Sequence, residues 1–169
     1  MALKSGLRAR CACGKVVLEA RGRPIASAVC YCDDCQEAGR QIEALPGAPP
    51  VLDPDAGTSL VMYRRDRLDC VEGADLLKPM KVRPDSPTNR HVAGCCNSVM
   101  YLGFDDSKHW VDVFRARIEG EPPPIEARMC TRFLPPGTEV PKDAPSFAGF
   151  SPKVVLKVMA ARLAMLFGR

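Results

Sequence analysis

Residues 30–36, CYCDDCQ, place three cysteines within six positions and two aspartates between the last two. A cluster this tight is a disulfide clasp, a redox pair or part of a metal site, and the rest of the chain decides among them. Nine cysteines are an odd number for a disulfide framework, and 169 residues suit one domain that buries a core without staples. The N-terminal stretch MALKSGLRARCACGK has no apolar run of signal-peptide length, and no segment approaches the roughly 18–20 apolar residues of a membrane span. The expected location is therefore cytoplasmic, where thiols stay reduced. Metal ligation is the leading reading of the cluster. A Cys32–Cys35 redox pair competes with it, but without the βαβ context of thioredoxin-like CxxC motifs.

Most of the remaining cysteines fall into a second group. Cys11 and Cys13 form a CxC followed by Gly14, and Cys95 and Cys96 are adjacent within RHVAGCCNS, while Cys70 and Cys130 stand alone. Zinc takes thiolates in tetrahedral sets, closed by four protein ligands in structural sites and left with an open position in catalytic ones. The arithmetic gives two metals. Cys11, Cys13, Cys95 and Cys96 close at four, whereas Cys30, Cys32 and Cys35 stop at three and leave a position where chemistry can occur. Adjacent cysteines reach one metal only through a strained turn, for which Gly94 is the expected source of backbone freedom. His91, four residues before Cys95, is an alternative ligand. Cys70 and Cys130 read as small buried hydrophobes, Asp33 and Asp34 as turn formers rather than acid–base groups, and Lys15 and Arg40 as solvated charges.

Short strands separated by Gly and Pro turns dominate the pattern. The segment from Cys11 to about Arg23, the run TSLVMYRRDRLDCVEG at 58–73, NSVMYLGF at 97–104 and HWVDVFRARIEG at 109–120 all read as strands, which makes the fold mainly β. Residues 121–152 hold half of the chain's 16 prolines and read as an irregular arm packed on the body. Residues 153–169 read as a C-terminal helix, the one helix expected, with Ser151 as its N-cap and Pro152 at its first position. This divides the chain into a zinc-binding domain over 1–120, a proline-rich extension over 121–152 and the helix. All 20 acidic residues precede residue 151 and balance 20 of the 24 basic ones, so the body is formally neutral. With aromatics at 6% of residues, nothing marks a nucleic-acid surface. The three cations Lys153, Lys157 and Arg162 are scattered around the helix, which argues against a membrane-surface helix. Packing on its own domain and a homo-oligomer contact both remain open for it.

The ordered set CACGKVVLEARG, then VCYCDDCQEAGR, then the late cysteine pair resembles the glutathione-dependent formaldehyde-activating enzyme family, which includes centromere protein V. The resemblance covers residues 8 to about 117 and implies an Mss4-like fold of curled antiparallel sheets. It also implies two zinc sites: a structural one, to which Cys11 and Cys13 belong, and a three-cysteine one at Cys30, Cys32 and Cys35 where a thiol substrate binds. The third element departs from the family. Its usual CxxC-Gly is AGCCN here, so Cys96 matches the second cysteine, Ala93 stands in place of the first, and Cys95 must substitute. Two function classes follow. One is a zinc enzyme, a carbon–sulfur lyase of the S-(hydroxymethyl)glutathione synthase type acting on an adduct of glutathione or another small thiol with an aldehyde. The other is a non-catalytic zinc-stabilised binding module.

Overall fold

In the computed structural model, which describes residues 6–167, the strands are β1 (Gly6–Arg10), β2 (Val17–Arg21), β3 (Ala26–Cys30), β4 (Thr58–Arg64), β5 (Leu68–Glu72), β6 (Leu77–Met80), β7 (Thr88–Ala93), β8 (Ser98–Phe104), β9 (Trp110–Phe114) and β10 (Ala127–Met129). Helix α1 (Asp33–Glu43) follows β3, and α2 (Pro152–Leu166) ends the described chain. The fold is mainly β. A three-stranded antiparallel sheet has the order β1-β2-β5, and a seven-stranded sheet has the order β10-β3-β4-β9-β8-β7-β6. All pairs in the larger sheet are antiparallel except β10, which runs parallel to β3 and pairs Met129 with Cys30.

The period-2 alternation of β-strands sends successive side chains to two different cores. Val61 and Tyr63 of β4 and Val111 and Val113 of β9 meet Leu7, Ala9, Leu18 and Ala20 of the small sheet. Leu60, Met62 and Phe114 point the other way, toward Ile42 of α1 and Val154 of α2. The central strands are thus covered on both faces, in keeping with the continuous apolar run Leu60–Tyr63 of β4.

Several sequence expectations need correction. The run at 58–73 is two strands in two sheets: four consecutive charged residues, Arg64–Arg67, break the alternation, and a 3-10 turn at Arg65–Arg67 carries the chain across. The predicted strand from Cys11 begins only at Val17, because residues 11–16 form a turn. Helix α1 is a second helix where the sequence leads one to expect a turn at Asp33 and Asp34. Asp33 and Asp34 occupy its first turn, where carboxylates favour the helix dipole, so they are helix-starting rather than turn residues. Gly39 weakens the helical pattern of this segment, yet a Cβ there would lie 2.4 Å from the Leu52 side chain, so close packing requires glycine. β6 contains Pro79, and its place at the sheet edge is where a missing donor is tolerated.

The proline-rich segment is not wholly irregular. Its β10 joins the sheet edge, and Arg128 within it is buried, 5% exposed, and donates to Asp55 Oδ2 at 2.9 Å and in two bonds to Asp143 Oδ1 and Oδ2 at 2.7 and 3.1 Å. It also donates to the hydroxyl of buried Tyr31, which in turn donates to Asp55 at 2.6 Å. Helix α2 begins as the sequence predicts, with Ser151 Oγ accepting from Val154 N–H at 3.4 Å and Pro152 at its first position. It packs on its own body through Val154, through the Lys157–Glu126 ion pair and through a 2.8 Å hydrogen bond between His109 Nε2 and the Val158 carbonyl. The last two residues assigned to it by sequence, 168 and 169, lie outside the described residues. Among the described residues no helix is long and apolar enough to cross a membrane.

The Arg128 network predicts a large effect from one change. Arg128→Met leaves the mostly buried Asp55 without its cation, and a stability loss on the order of 2–4 kcal/mol is expected in urea unfolding, partly recovered when Asp55→Asn is added. Equal stabilities of the native and Arg128→Met proteins would show that the arm is held by other contacts.

Candidate metal centres

The two cysteine groups predicted from sequence assemble as two separate clusters, and the sulfurs within each lie within 4.8 Å of one another. The first brings Cys11 and Cys13 of the β1–β2 turn to Cys95 and Cys96 of the β7–β8 turn. Its Sγ–Sγ separations are 3.7 Å for Cys11–Cys13, 3.9 Å for Cys11–Cys95, 3.3 Å for Cys13–Cys95 and 3.9 Å for Cys95–Cys96. Four sulfurs bound tetrahedrally at zinc–sulfur distances would sit about 3.8 Å apart. The donor set therefore fits a closed thiophilic ion.

Both turns are built for this. Gly14, at φ +82°, lets its N–H return to the Cys11 carbonyl at 3.0 Å, and Val16 N–H donates to Cys11 Sγ at 3.2 Å. In the second turn Cys96 and Asn97 N–H groups both donate to the Ala93 carbonyl, at 3.2 and 2.8 Å. The left-handed residue is Asn97, at φ +54°, and not Gly94, which corrects the expectation that Gly94 supplies the strained backbone. At Gly94 a Cβ would come within 3.1 Å of the exposed Lys78 side chain, which need shift only slightly to admit it. Burial alone would raise the Cys96 thiol, but hydrogen bonds involving Ser98, whose Oγ is 3.1 Å away, and Cys13 hold it down to about 6. Ser98 Oγ also accepts from Ala12 N–H at 2.9 Å, tying the two turns to each other.

The second cluster comes from one short segment. Cys30 ends β3, Cys32 is the N-cap residue of α1 and Cys35 lies in its first turn. Hydrogen bonds from the Cys30 and Cys35 thiols, assisted by Cys35 N–H and the positive field of Arg90, hold the Cys32 thiol far below its ordinary value. The helix N-terminus favours a thiolate there for the same reason. Gln36 fixes the segment: its Nε2 donates to the Tyr31 carbonyl at 2.7 Å and to the Phe133 carbonyl at 2.9 Å.

His91 joins neither cluster. Its ring stacks on Tyr101 with centroids 4.1 Å apart on the side of the sheet away from α1, and burial holds its pKa down. Cys70 is half-buried and donates to the Glu72 carbonyl at 3.2 Å. Cys130 is buried as predicted, 3% exposed, yet it was not expected beside the three-cysteine cluster. Hydrogen bonding with Cys130, then with Cys32 and Cys35, together with burial, pushes the Cys30 thiol up. Cys130 sits at φ +62°, a conformation that non-glycine residues rarely adopt and that surrounding structure must impose. Its N–H donates to the Gly149 carbonyl at 2.8 Å. All nine cysteines are free thiols.

Beside the second cluster lies a cavity of about 440 Å³ between the larger sheet and α2. Cys30, Cys32 and Cys35 line it, as do Arg90 and Asp112. Both polar residues are buried, 2% and 6% exposed, on a sheet face that is mostly apolar. Arg90 is satisfied by Thr88 Oγ1 at 2.8 Å and the Asp34 carbonyl at 3.2 Å. Asp112 Oδ1 is buried and has no hydrogen-bond partner. Burial pushes the Asp112 carboxyl up to about 7, against the opposing field of Arg90. Sequence reading passed over both residues because alternation in HWVDVF suggests a solvent-facing Asp; only the second covered face puts it inside.

The sequence profile of the glutathione-dependent formaldehyde-activating enzyme family matches residues 6–45, the span that holds β1, β2, β3 and α1. No curated protein matches the chain. Among solved structures, a crystal structure of a Rhodobacter sphaeroides protein is similar over 69% of this chain and 91% of its own, with 18% identity and a TM-score of 0.48. The family match falls on Cys11, Cys13, Cys30, Cys32 and Cys35, five of the seven cysteines that the fold gathers into two clusters, so over this N-terminal quarter the chain is similar to that family in the residues that could hold a metal.

Proposed function

We propose that the chain is a zinc protein whose three-cysteine site binds a small thiol, or the adduct of such a thiol with an aldehyde, and makes or breaks its carbon–sulfur bond. The observation that supports this most is the contrast between the clusters: four sulfurs closed on one another in one, three sulfurs beside a 440 Å³ cavity in the other. Cys11, Cys13, Cys95 and Cys96 would hold a structural zinc, and Cys30, Cys32 and Cys35 a second with one position left for the ligand. Bound there, zinc supplies Lewis-acid polarisation, weakened by three thiolate charges. The chain's own groups contribute the remainder. The α1 N-terminus and Arg90 favour the thiolate form of Cys32, the largely apolar cavity wall lowers the polarity around the reacting atoms, and Asp112, pushed up to about 7 on the same wall, is a group there that can hold or yield a proton. The reaction class is a carbon–sulfur lyase of the S-(hydroxymethyl)glutathione synthase type, working in the cytoplasm.

The second reading, a zinc-stabilised binding module, is favoured by α2, whose outer side exposes Leu156, Leu163 and Leu166. A homo-oligomer would cover them. A saturating small thiol separates the readings, because it changes the metal's absorption in the cobalt-substituted protein only if a coordination position is open to it.

Elemental analysis is expected to give close to two zincs per chain, and one for either Cys13→Ala or Cys32→Ala. The two losses differ in consequence. Cys13→Ala breaks a junction between distant segments and is expected to lower Tm by on the order of 10 °C or more, whereas Cys32→Ala, in a cluster local to one segment, costs roughly 5 °C or less. Equal losses would contradict the assignment of a structural and an open site.

Asp112 gives a pH signature. Its carboxyl keeps its proton to about pH 7 in the folded protein but only to 3.8 when unfolded, so its contribution to stability is complete below 3.8 and is lost as pH rises through about 7. Asp112→Asn removes that titration. Its stability relative to the native protein is expected to increase between about pH 5 and pH 8 in urea unfolding, and an unchanged difference would place Asp112 in contact with water.

A further inference from the structure

We infer that Arg90 supplies the counter-charge through which the open position of the three-cysteine site favours an anionic fourth ligand, a thiolate, over a neutral one. This rests on the zinc reading proposed above and adds to it the residue that reads the ligand's charge.

Arg90, on β7, is the bulkiest fully buried side chain among the described residues. Its hydrogen bonds neutralise nothing. Thr88 Oγ1 is a hydroxyl and the Asp34 acceptor is the backbone carbonyl, while the Asp34 carboxylate turns to Arg83 at 2.9 Å. Among the described residues no carboxylate forms an ion pair with Arg90. Burying a cation without a counter-charge is strongly unfavourable, so the compensating negative charge has to come from elsewhere.

Its placement says where. The carbonyl that Arg90 holds belongs to the peptide bond between Asp34 and Cys35, in the first turn of α1, and Arg90 lines the same cavity as Cys30, Cys32 and Cys35. Its positive field reaches the Cys32 and Cys35 sulfurs. Asp112 is a poorer partner. The register sets Arg90 opposite Leu102 and Leu102 opposite Asp112, so the two polar residues stand two strands apart, about 10 Å between backbones. Three thiolates on a divalent ion carry one net negative charge. A thiol that enters as thiolate, leaving its proton to the buffer, adds a second negative charge in a desolvated site, and a cation fixed nearby offsets it. A neutral donor gains nothing from that cation, so the presence of Arg90 separates the two kinds of ligand.

Cobalt absorption of the cobalt-substituted full chain, at one fixed pH, measures the affinities of 1-propanethiol and azide, which bind as anions, and of imidazole, which binds neutral. Arg90→Gln and Arg90→Met are each expected to weaken the two anions about tenfold or more and imidazole less than about twofold. Arg90→Lys, which keeps the charge, is expected to retain most of the anion affinity. A uniform loss for all three ligands would overturn the inference and make Arg90 a packing residue; no loss for any would put its charge out of the ligand's reach. 3-Mercaptopropionate binding far tighter than 1-propanethiol, with the excess lost in Arg90→Gln, would overturn it differently, by making Arg90 the seat of a carboxylate. If none of these molecules perturbs the cobalt spectrum, no coordination position is open, and the zinc reading fails together with the inference.

Discussion

Two turns, residues 11–16 and 93–98, must approach until four sulfurs share one centre, and this constraint organises the molecule. Each turn ends a hairpin, one in each sheet, so the thiol junction sets where the three-stranded sheet lies on the seven-stranded one. The backbone is bent for it at Gly14 and Asn97, and Ser98 and Val16 supply the hydrogen bonds that orient the sulfurs. Burial between the sheets then follows from geometry already fixed, with Leu18, Tyr63, Met100 and Val113 filling the gap.

With one face of the large sheet committed to that contact, everything of chemical interest falls on the other. There the strands present Cys30, Met62, Asp112 and Arg90 toward α1 and α2. An aspartate and an arginine at interior positions are locally unfavourable choices for a sheet covered on both sides. Sequences that violate packing rules at a few points do so at functional or strained sites, and here two such residues lie within one cavity beside three thiols, with left-handed Cys130 against the same cluster.

Cysteine spacing carried most of what sequence could say about the sites, because a ligand set needs specific atoms and few residue types provide them. The mainly β class and the start of α2 were also legible, from alternation and from the Ser151-Pro152 cap. Helix α1 was not, since Cys32, two aspartates and Gly39 obscure its periodicity and its hold on the fold is tertiary, through Gln36 and the Leu52 contact. Asp112, Arg90 and Cys130 were invisible for a related reason. A strand's pattern tells which residues share a face, but whether that face meets water or a helix depends on segments far along the chain.

The parallel strand β10 places a late step in the making of the cavity. Tyr31 meets Arg128, and Gln36 meets Phe133, across 97 residues in each case. The three thiols of the open site, by contrast, lie in one segment that leaves the ribosome about a hundred residues before its roof. Closing so long a loop is entropically the slower event. The three thiols are therefore made and in the open before the arm and α2 close over them, so an ion meeting the nascent chain would find this cluster without its roof, and the order of synthesis bears on how such a centre would be loaded.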